Sequence, residues 1–156
     1  RMIGELGWKP THIVNINATA VEAVMKPAGL EYAQDMISIN YLKDPADLTW
    51  ANDQGMQSYL TFMERYFPDG DRFSTLNSYG YTAAQLVTTV LRRCGDDLTR
   101  ENVMKQATNL KGVQSDLYLP GITANTSSTD YKVNKSFRMM RFKGQSWQLF
   151  GPIISE

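Results

Sequence analysis

Apolar residues recur at three- and four-residue spacing in three stretches of this chain, and each stretch predicts a helix. The longest covers residues 77–94, where Ala83, Ala84, Leu86, Val87, Val90, Leu91 and Cys94 fall on one broad stripe. Asn77 or Ser78 is placed to cap its first turn. Gly95 is placed to end it in the left-handed conformation, and Arg92 and Arg93 sit at the negative end of its dipole. A second helix, residues 52–67, presents Met56, Tyr59, Leu60, Phe62, Met63, Tyr66 and Phe67, a stripe of the kind that fills cores. A third, shorter one starts from Thr99 as N-cap with Glu101 in its first turn. It buries Val103, Met104, Ala107 and Leu110 and ends at Gly112.

Elsewhere the period shortens to two. Residues 11–16 carry apolar side chains on both sides, as in a strand covered on both faces. The small polar run Asn17-Ala18-Thr19-Ala20 and an apolar stretch, residues 21–25, complete a strand–loop–helix unit that Pro27 and Gly29 break. Residues 35–42 read as a strand, and 43–47 as a polar connection around Pro45. Residues 117–122 suggest a short strand and turn, and 124–134 a polar loop. The segments 136–142 and 145–150 form a hairpin around Lys143-Gly144, which Gly151-Pro152 ends.

At 156 residues the chain has the size of one ordinary domain. Sixteen basic and sixteen acidic residues cancel, so no charge excess favours nucleic acid or an anionic membrane surface. The apolar runs are too short to span a bilayer. One cysteine excludes an intrachain disulfide and a cysteine-based metal cage. The opening residues, Arg1 to Gly7, read as the last turn of a helix and its glycine stop, which suggests a piece of a longer protein.

Catalytic chemistry is hard to assemble from these residues. His12 stands alone inside a predicted strand, and Cys94 lies at a helix C-terminus, where the dipole raises a thiol pKa. The acidic turn at Asp69 and Asp71 fails as a calcium loop because Arg72, Phe73 and Leu76 interrupt it. There is no nucleophile elbow and no phosphate loop. Without a base and a group to orient it, the chain is expected to bind without catalysing, with no cofactor and no metal. The Asn-x-Ser/Thr triplets at Asn17, Asn125 and Asn134 are within chance for so Asn-rich a chain. In open α/β sheets the ligand crevice lies beyond the carboxyl ends of strands, where Asn15, Asn17 and Thr19 sit. Tyr79 and Tyr81 stand at the mouth of the long helix as one wall of such a cleft. The alternatives are that Asn17 or Thr19 caps a helix and that both rings pack.

Several phrases carry a family resemblance. They are Gly4-Glu5-Leu6-Gly7-Trp8-Lys9-Pro10, Lys26-Pro27-Ala28-Gly29-Leu30-Glu31, Tyr41-Leu42-Lys43-Asp44-Pro45, Phe62-Met63-Glu64-Arg65-Tyr66-Phe67-Pro68-Asp69-Gly70 and Tyr79-Gly80-Tyr81-Thr82-Ala83-Ala84-Gln85. Two more are the run from Cys94-Gly95-Asp96 to Val103-Met104 and the tail from Met140 to Gly151-Pro152. Over essentially its whole length the chain resembles the C-terminal part of the substrate-binding proteins of branched-chain-amino-acid-type ABC transporters. The resemblance implies an α/β, type I periplasmic-binding-protein fold of two lobes around a cleft that closes by hinge motion. It assigns 1–43 and 136–156 to the second lobe and 44–135 to the first. It also implies a periplasmic solute-binding component that captures a small-molecule ligand and delivers it to an ABC permease. A ligand-sensing regulatory module of the same fold is the alternative.

In amino-acid-binding members the loop matching Asn15, Asn17, Ala18 and Thr19 supplies an acidic residue for the ligand's ammonium group. This chain has no acid there before Glu22. That departure favours an aromatic or other carboxylic acid over a branched-chain amino acid, with Tyr79 and Tyr81 matching cleft-facing positions. An incomplete two-lobe fold would expose strand edges and apolar surface, so a homodimer of the chain is a further expectation.

Overall fold

The computed structural model describes all 156 residues. The first helix, α1 (Met2–Glu5), is one turn long, and Gly7 follows it at φ +65°. A 3₁₀ turn at Ile16–Ala18 and a wide, π-type turn at Val21–Met25 lead into α2 (Lys26–Ala28). Strand β1 (Ile37–Asn40), helices α3 (Gln54–Tyr66), α4 (Thr75–Cys94) and α5 (Arg100–Ala107), and strands β2 (Ser136–Lys143) and β3 (Ser146–Ser155) complete the order.

The three strands form one antiparallel sheet in the order β1-β2-β3. β1 meets β2 from Ile37 opposite Arg141 to Asn40 opposite Arg138. The β2–β3 hairpin turns at Gly144, as the Lys143-Gly144 pair predicted, but Gly151-Pro152 does not end it. Arg138 faces Ile153 and Met139 faces Phe150, so Gly151 and Pro152 bulge out of β3 and the strand continues to Ser155. Gly151 sits at φ +68°, which glycine adopts without strain, and a bulge tolerates a proline that has no N–H for the ladder.

Two strand expectations are corrected. Residues 11–16 form no strand: a single parallel bridge joins Ile13 to Ile37, with Val14 N–H donating to the Ile37 carbonyl and Ile37 N–H to that of His12. Nothing continues the sheet on their other side, and Ile13 is 71% exposed, so the two-sided burial that the pattern suggested is absent. Residues 117–122 likewise make only the bridge from Tyr118 to Leu42; turn bonds from Tyr118 to Ser115 and from Ile122 to Leu119 hold the segment compact. β1 is four residues long, because beyond it the Asn40 side chain accepts the N–H groups of Tyr41 and Leu42 and turns the backbone out of the ladder.

The helices start slightly earlier or later than their patterns suggested. Ser74, not Asn77 or Ser78, caps α4 by accepting from Leu76 N–H, while Gly95 ends it at φ +59° as expected. Asp53 caps α3 and Thr99 caps α5. The buried side chains fall into separate groups. One joins Val21, Met25, Ala33, Met36, Met140, Phe142 and Trp147 beneath the sheet. The others join Val90, Cys94, Leu110, Val113, Tyr118, Leu119, Ile122 and Ala124 under α4 and α5, and Met56, Tyr59, Met63 and Leu117 under α3. α3 approaches the 116 segment closely at Gly55, where a Cβ would lie 2.1 Å from the Asp116 carbonyl oxygen. No helix is long and apolar enough to cross a membrane.

Candidate functional site

A cavity of about 430 Å³ opens where the sheet-side segments meet the start of α4. One wall is the turn containing Ile16, Asn17, Thr19 and Ala20, the floor is Asn40 to Asp44, and the far wall is Thr75, Leu76, Ser78 and Tyr79 with Phe137. Three of the six residues singled out in the sequence therefore line it: Asn17, Thr19 and Tyr79. Asn15 and Ala18 do not. The Asn15 side chain instead accepts from Asn17 N–H at 2.9 Å, capping the 3₁₀ turn and aiming the residues that follow it.

Tyr81 lies elsewhere. One residue from Gly80 and two from Tyr79, it is rotated about 200° from Tyr79 around a helix of 100° per residue. Its ring packs on Tyr59 and Phe62, and its hydroxyl donates to Asp116 Oδ2 at 2.7 Å. Burial first, and then that bond to Asp116, push the Tyr81 phenol far above its ordinary range. Gln85 completes the cluster: its amide donates to the same Asp116 oxygen at 2.6 Å, while its carbonyl accepts from Ser115 Oγ and Asp116 N–H. This set lines a second cavity, also of about 430 Å³, and ties α4 to the 115–116 segment.

The wall of the first cavity is held from behind. Thr19 is buried; its hydroxyl donates to the Ile16 carbonyl at 2.7 Å and accepts from Asn40 Nδ2 at 3.2 Å. Its own carbonyl takes the Trp147 indole N–H at 2.8 Å. Asp47, also buried, accepts from Trp147 N–H and from Thr49 N–H. β3, the floor and the 16–20 turn thus share one hydrogen-bond chain, and such fully satisfied buried networks fix geometry.

Two charged residues line the cavity, and the sequence reading picked neither. Lys43 is committed away from it: its ammonium donates to Asp53 Oδ1 at 2.7 Å and to the Asp116 carbonyl at 2.9 Å, over the Trp50 ring. Asp44 faces the cavity with Oδ2 accepting from Val21 N–H at 2.7 Å and Oδ1 from Ala46 N–H at 2.9 Å. Burial raises its pKa above the ordinary 3.8 despite those bonds. Asn40, Tyr41 and Asp44 follow directly on the end of β1, so the rule that crevices lie beyond strand ends also covers them.

The aromatic side of the cavity is a cluster. Tyr41 meets Phe137 edge-on at 5.9 Å and Tyr118 at 6.3 Å. Burial, with Tyr79 close by, raises the Tyr41 phenol, and burial with both neighbouring tyrosines raises Tyr118 to about 12. At neutral pH Tyr41 and Tyr118 are uncharged. The Asn17 amide and the Tyr79 hydroxyl make no hydrogen bond within the protein, which leaves them available to a ligand.

Comparison with known proteins gives a consistent result. A sequence model described as periplasmic binding protein matches residues 1–146. The fold matches that of a branched chain amino acid ABC transporter from Thermus thermophilus solved with bound valine, with TM-score 0.79 and 14% identity over 99% of this chain and 42% of that one. It also matches a possible leucine/isoleucine/valine-binding protein from Rhodopirellula baltica SH 1, with TM-score 0.69 and 13% identity over 97% of this chain and 38% of that one. At these identities the likeness carries the fold, and the chain spans well under half the length of either structure. Among curated proteins none matches the sequence.

Proposed function

This chain belongs to the periplasmic binding protein family, and from that premise we propose that it is part of an extracytoplasmic solute-binding component of an ABC importer, with its ligand in the cavity between Asn17 and Tyr79. The observation that carries this is the junction position of the cavity. Its lining draws on both proposed lobes: Ile16 to Lys43 and Phe137 from one, and Asp44 and Thr75 to Tyr79 from the other. The fully buried residues divide near the same boundary, with 21–36 and 140–147 in the group beneath the sheet and 56–124 in the helical groups, while Tyr41, Leu42 and Leu149 reach across to the helical groups and Ala46 to the sheet group. That division supports reading 1–43 with 136–156 as one lobe and 44–135 as the other. The cavity then lies where a hinge would open and close it. No residue that lines it pairs a nucleophile with an oriented base, which favours capture over catalysis.

The lining favours a small acid with an apolar or aromatic body. Tyr41, Tyr79 and Phe137 supply flat apolar surface, Asn17 and Tyr79 supply neutral donors, and the 15–19 turn carries no acid to repel a carboxylate. Asp44 favours a second reading. A carboxylate in the wall with lone pairs to spare is a place for an ammonium group, and a branched-chain amino acid would bring one. A thermal-shift series separates the two, because a ligand of the folded state raises the melting temperature with the logarithm of its concentration over Kd. Stabilisation by aromatic carboxylic acids but not by leucine, isoleucine or valine supports the first. The converse, abolished by Asp44→Asn, supports the second. No shift with either class overturns capture at this cavity.

A further inference from the structure

Behind the Asn17 cavity lies a smaller compartment of about 20 Å³. Thr19, Asn40 and Asp44 border both spaces, and Asp47, Trp50 and Trp147 border the inner one. Thr19, Asp47 and Trp147 are buried, so the compartment is interior to this chain and not part of its outer surface. A cavity needs about 10–15 Å³ to admit one water, so this one has room for a single molecule and not for two.

Size alone does not decide, because an apolar space stays dry. Here the lining is polar, and its hydrogen-bonding capacity is only partly used. Asp44 accepts the N–H groups of Val21 and Ala46, one on each oxygen, and Asp47 those of Thr49 and Trp147, again one on each. Every one of these carboxylate oxygens keeps a lone pair. On the donor side, Asn40 Nδ2 uses one N–H on Thr19 Oγ1 and keeps the other, and the Trp50 indole N–H has no partner in the protein. Acceptors and donors around one small space select a molecule that both donates and accepts. A metal ion would meet the N–H groups of Asn40 and Trp50, and an anion would meet two carboxylates.

We propose that one ordered water occupies this compartment, donating to the Asp44 and Asp47 carboxylates and accepting from Asn40 Nδ2 or Trp50 Nε1. Asp44 stands in the wall of the outer cavity, and Asp47 holds the Trp147 N–H. The water therefore links that wall to the last strand, and a bridge of this kind is nearly as good as a direct bond. The site stands whatever the outer cavity binds.

A crystal structure of the chain that shows ordered solvent is expected to place one water within about 3.2 Å of both carboxylates. A metal ion at that position overturns the proposal, and so do side chains that close the space with no water in it. Oxygen-17 magnetic relaxation dispersion, which counts long-lived waters, tests it in solution. Leu149 also lines the compartment, and Leu149→Phe brings a ring toward it from β3. The count is expected to fall by about one in that variant. An unchanged count with the ring seated in the compartment overturns the proposal. Should the variant not fold, the wild-type crystal structure decides.

Discussion

The indole N–H of Trp147 reaches 128 residues back along the chain to the carbonyl oxygen of Thr19, at 2.8 Å. Both residues are buried, and Thr19 faces the candidate ligand cavity. The bond fastens the cavity's turn to the last strand. Trp147→Phe removes the donor and leaves a buried carbonyl without a partner, a loss of about 1–3 kcal/mol before any packing defect is counted. Urea denaturation is expected to show that loss, together with weaker ligand binding. Equal stability of the variant would mean that the turn is held by other contacts.

Asp44 gives the cavity a pH signature. Its pKa is raised in the folded protein, so the folded state binds a proton more tightly than the unfolded chain does. Its contribution to stability is therefore fully present below the ordinary value of 3.8 and is lost as pH rises through the raised pKa. Asp35, Asp53, Asp97 and Asp130 are shifted the opposite way, by bonds to Lys143, to Lys43 and Met56, to Thr99, and to Lys135 and Lys132, and they contribute the reverse slope. The difference between wild type and Asp44→Asn isolates the Asp44 term. Relative to the variant, wild type is expected to lose stability as pH rises above the ordinary value of 3.8. A flat difference would show that the two backbone N–H bonds offset the burial.

The two tyrosines at the start of α4 divide structure from binding. Tyr81→Phe removes the bond to Asp116 and is expected to cost about 1 kcal/mol or more, because Asp116 Oδ2 keeps only Gln85, while ligand affinity stays constant. Tyr79→Ala, at a side chain 54% exposed and without a hydrogen bond, is expected to leave stability within about 0.5 kcal/mol of wild type. Thermal denaturation of both variants checks the contrast; a large loss in Tyr79→Ala would make that ring a structural one.

Tyr59 anchors α3. It is fully buried, its hydroxyl donates to the Arg72 carbonyl at 3.0 Å, and burial pushes its phenol up to about 12. Tyr59→Phe is expected to cost about 1 kcal/mol and Tyr59→Ala about 3–5 kcal/mol. A smaller loss for the alanine variant, measured by chemical denaturation, would indicate that the end of α3 is frayed in solution.

Much of this fold was legible because its helices carry local signals. Thr99 caps where a cap was expected, Gly95 turns left-handed where the stripe ends, and Lys143-Gly144 placed the hairpin. The misreadings came from partners distant in sequence. Residues 11–16 have the composition of a doubly covered strand, yet composition cannot say whether a neighbour lies on the far side, and here Ile13 has none. Of the apolar stripe of α4, Val90 and Cys94 are core, but Val87 and Leu91 face outward while Ser78 and Thr82 are buried, satisfied by bonds to their own helix. At the site, Asn17, Thr19 and Tyr79 came within reach of sequence reasoning because a turn after a strand-like segment and the start of a helix are the usual places for a cleft. Asp44 did not, since its role depends on Val21 and Ala46 drawing its carboxylate into the wall.

If the space between Asn17 and Tyr79 is where a ligand sits, calorimetric titration will read it in the affinities of single variants. The best-stabilising ligand would be titrated into wild type, Asn17→Ala, Tyr79→Ala and Tyr81→Phe. Affinity is expected to fall at least about tenfold, about 1.4 kcal/mol, in each of the first two variants and not at all in Tyr81→Phe. Undiminished affinity in both Asn17→Ala and Tyr79→Ala would contradict it and place the ligand elsewhere on the protein.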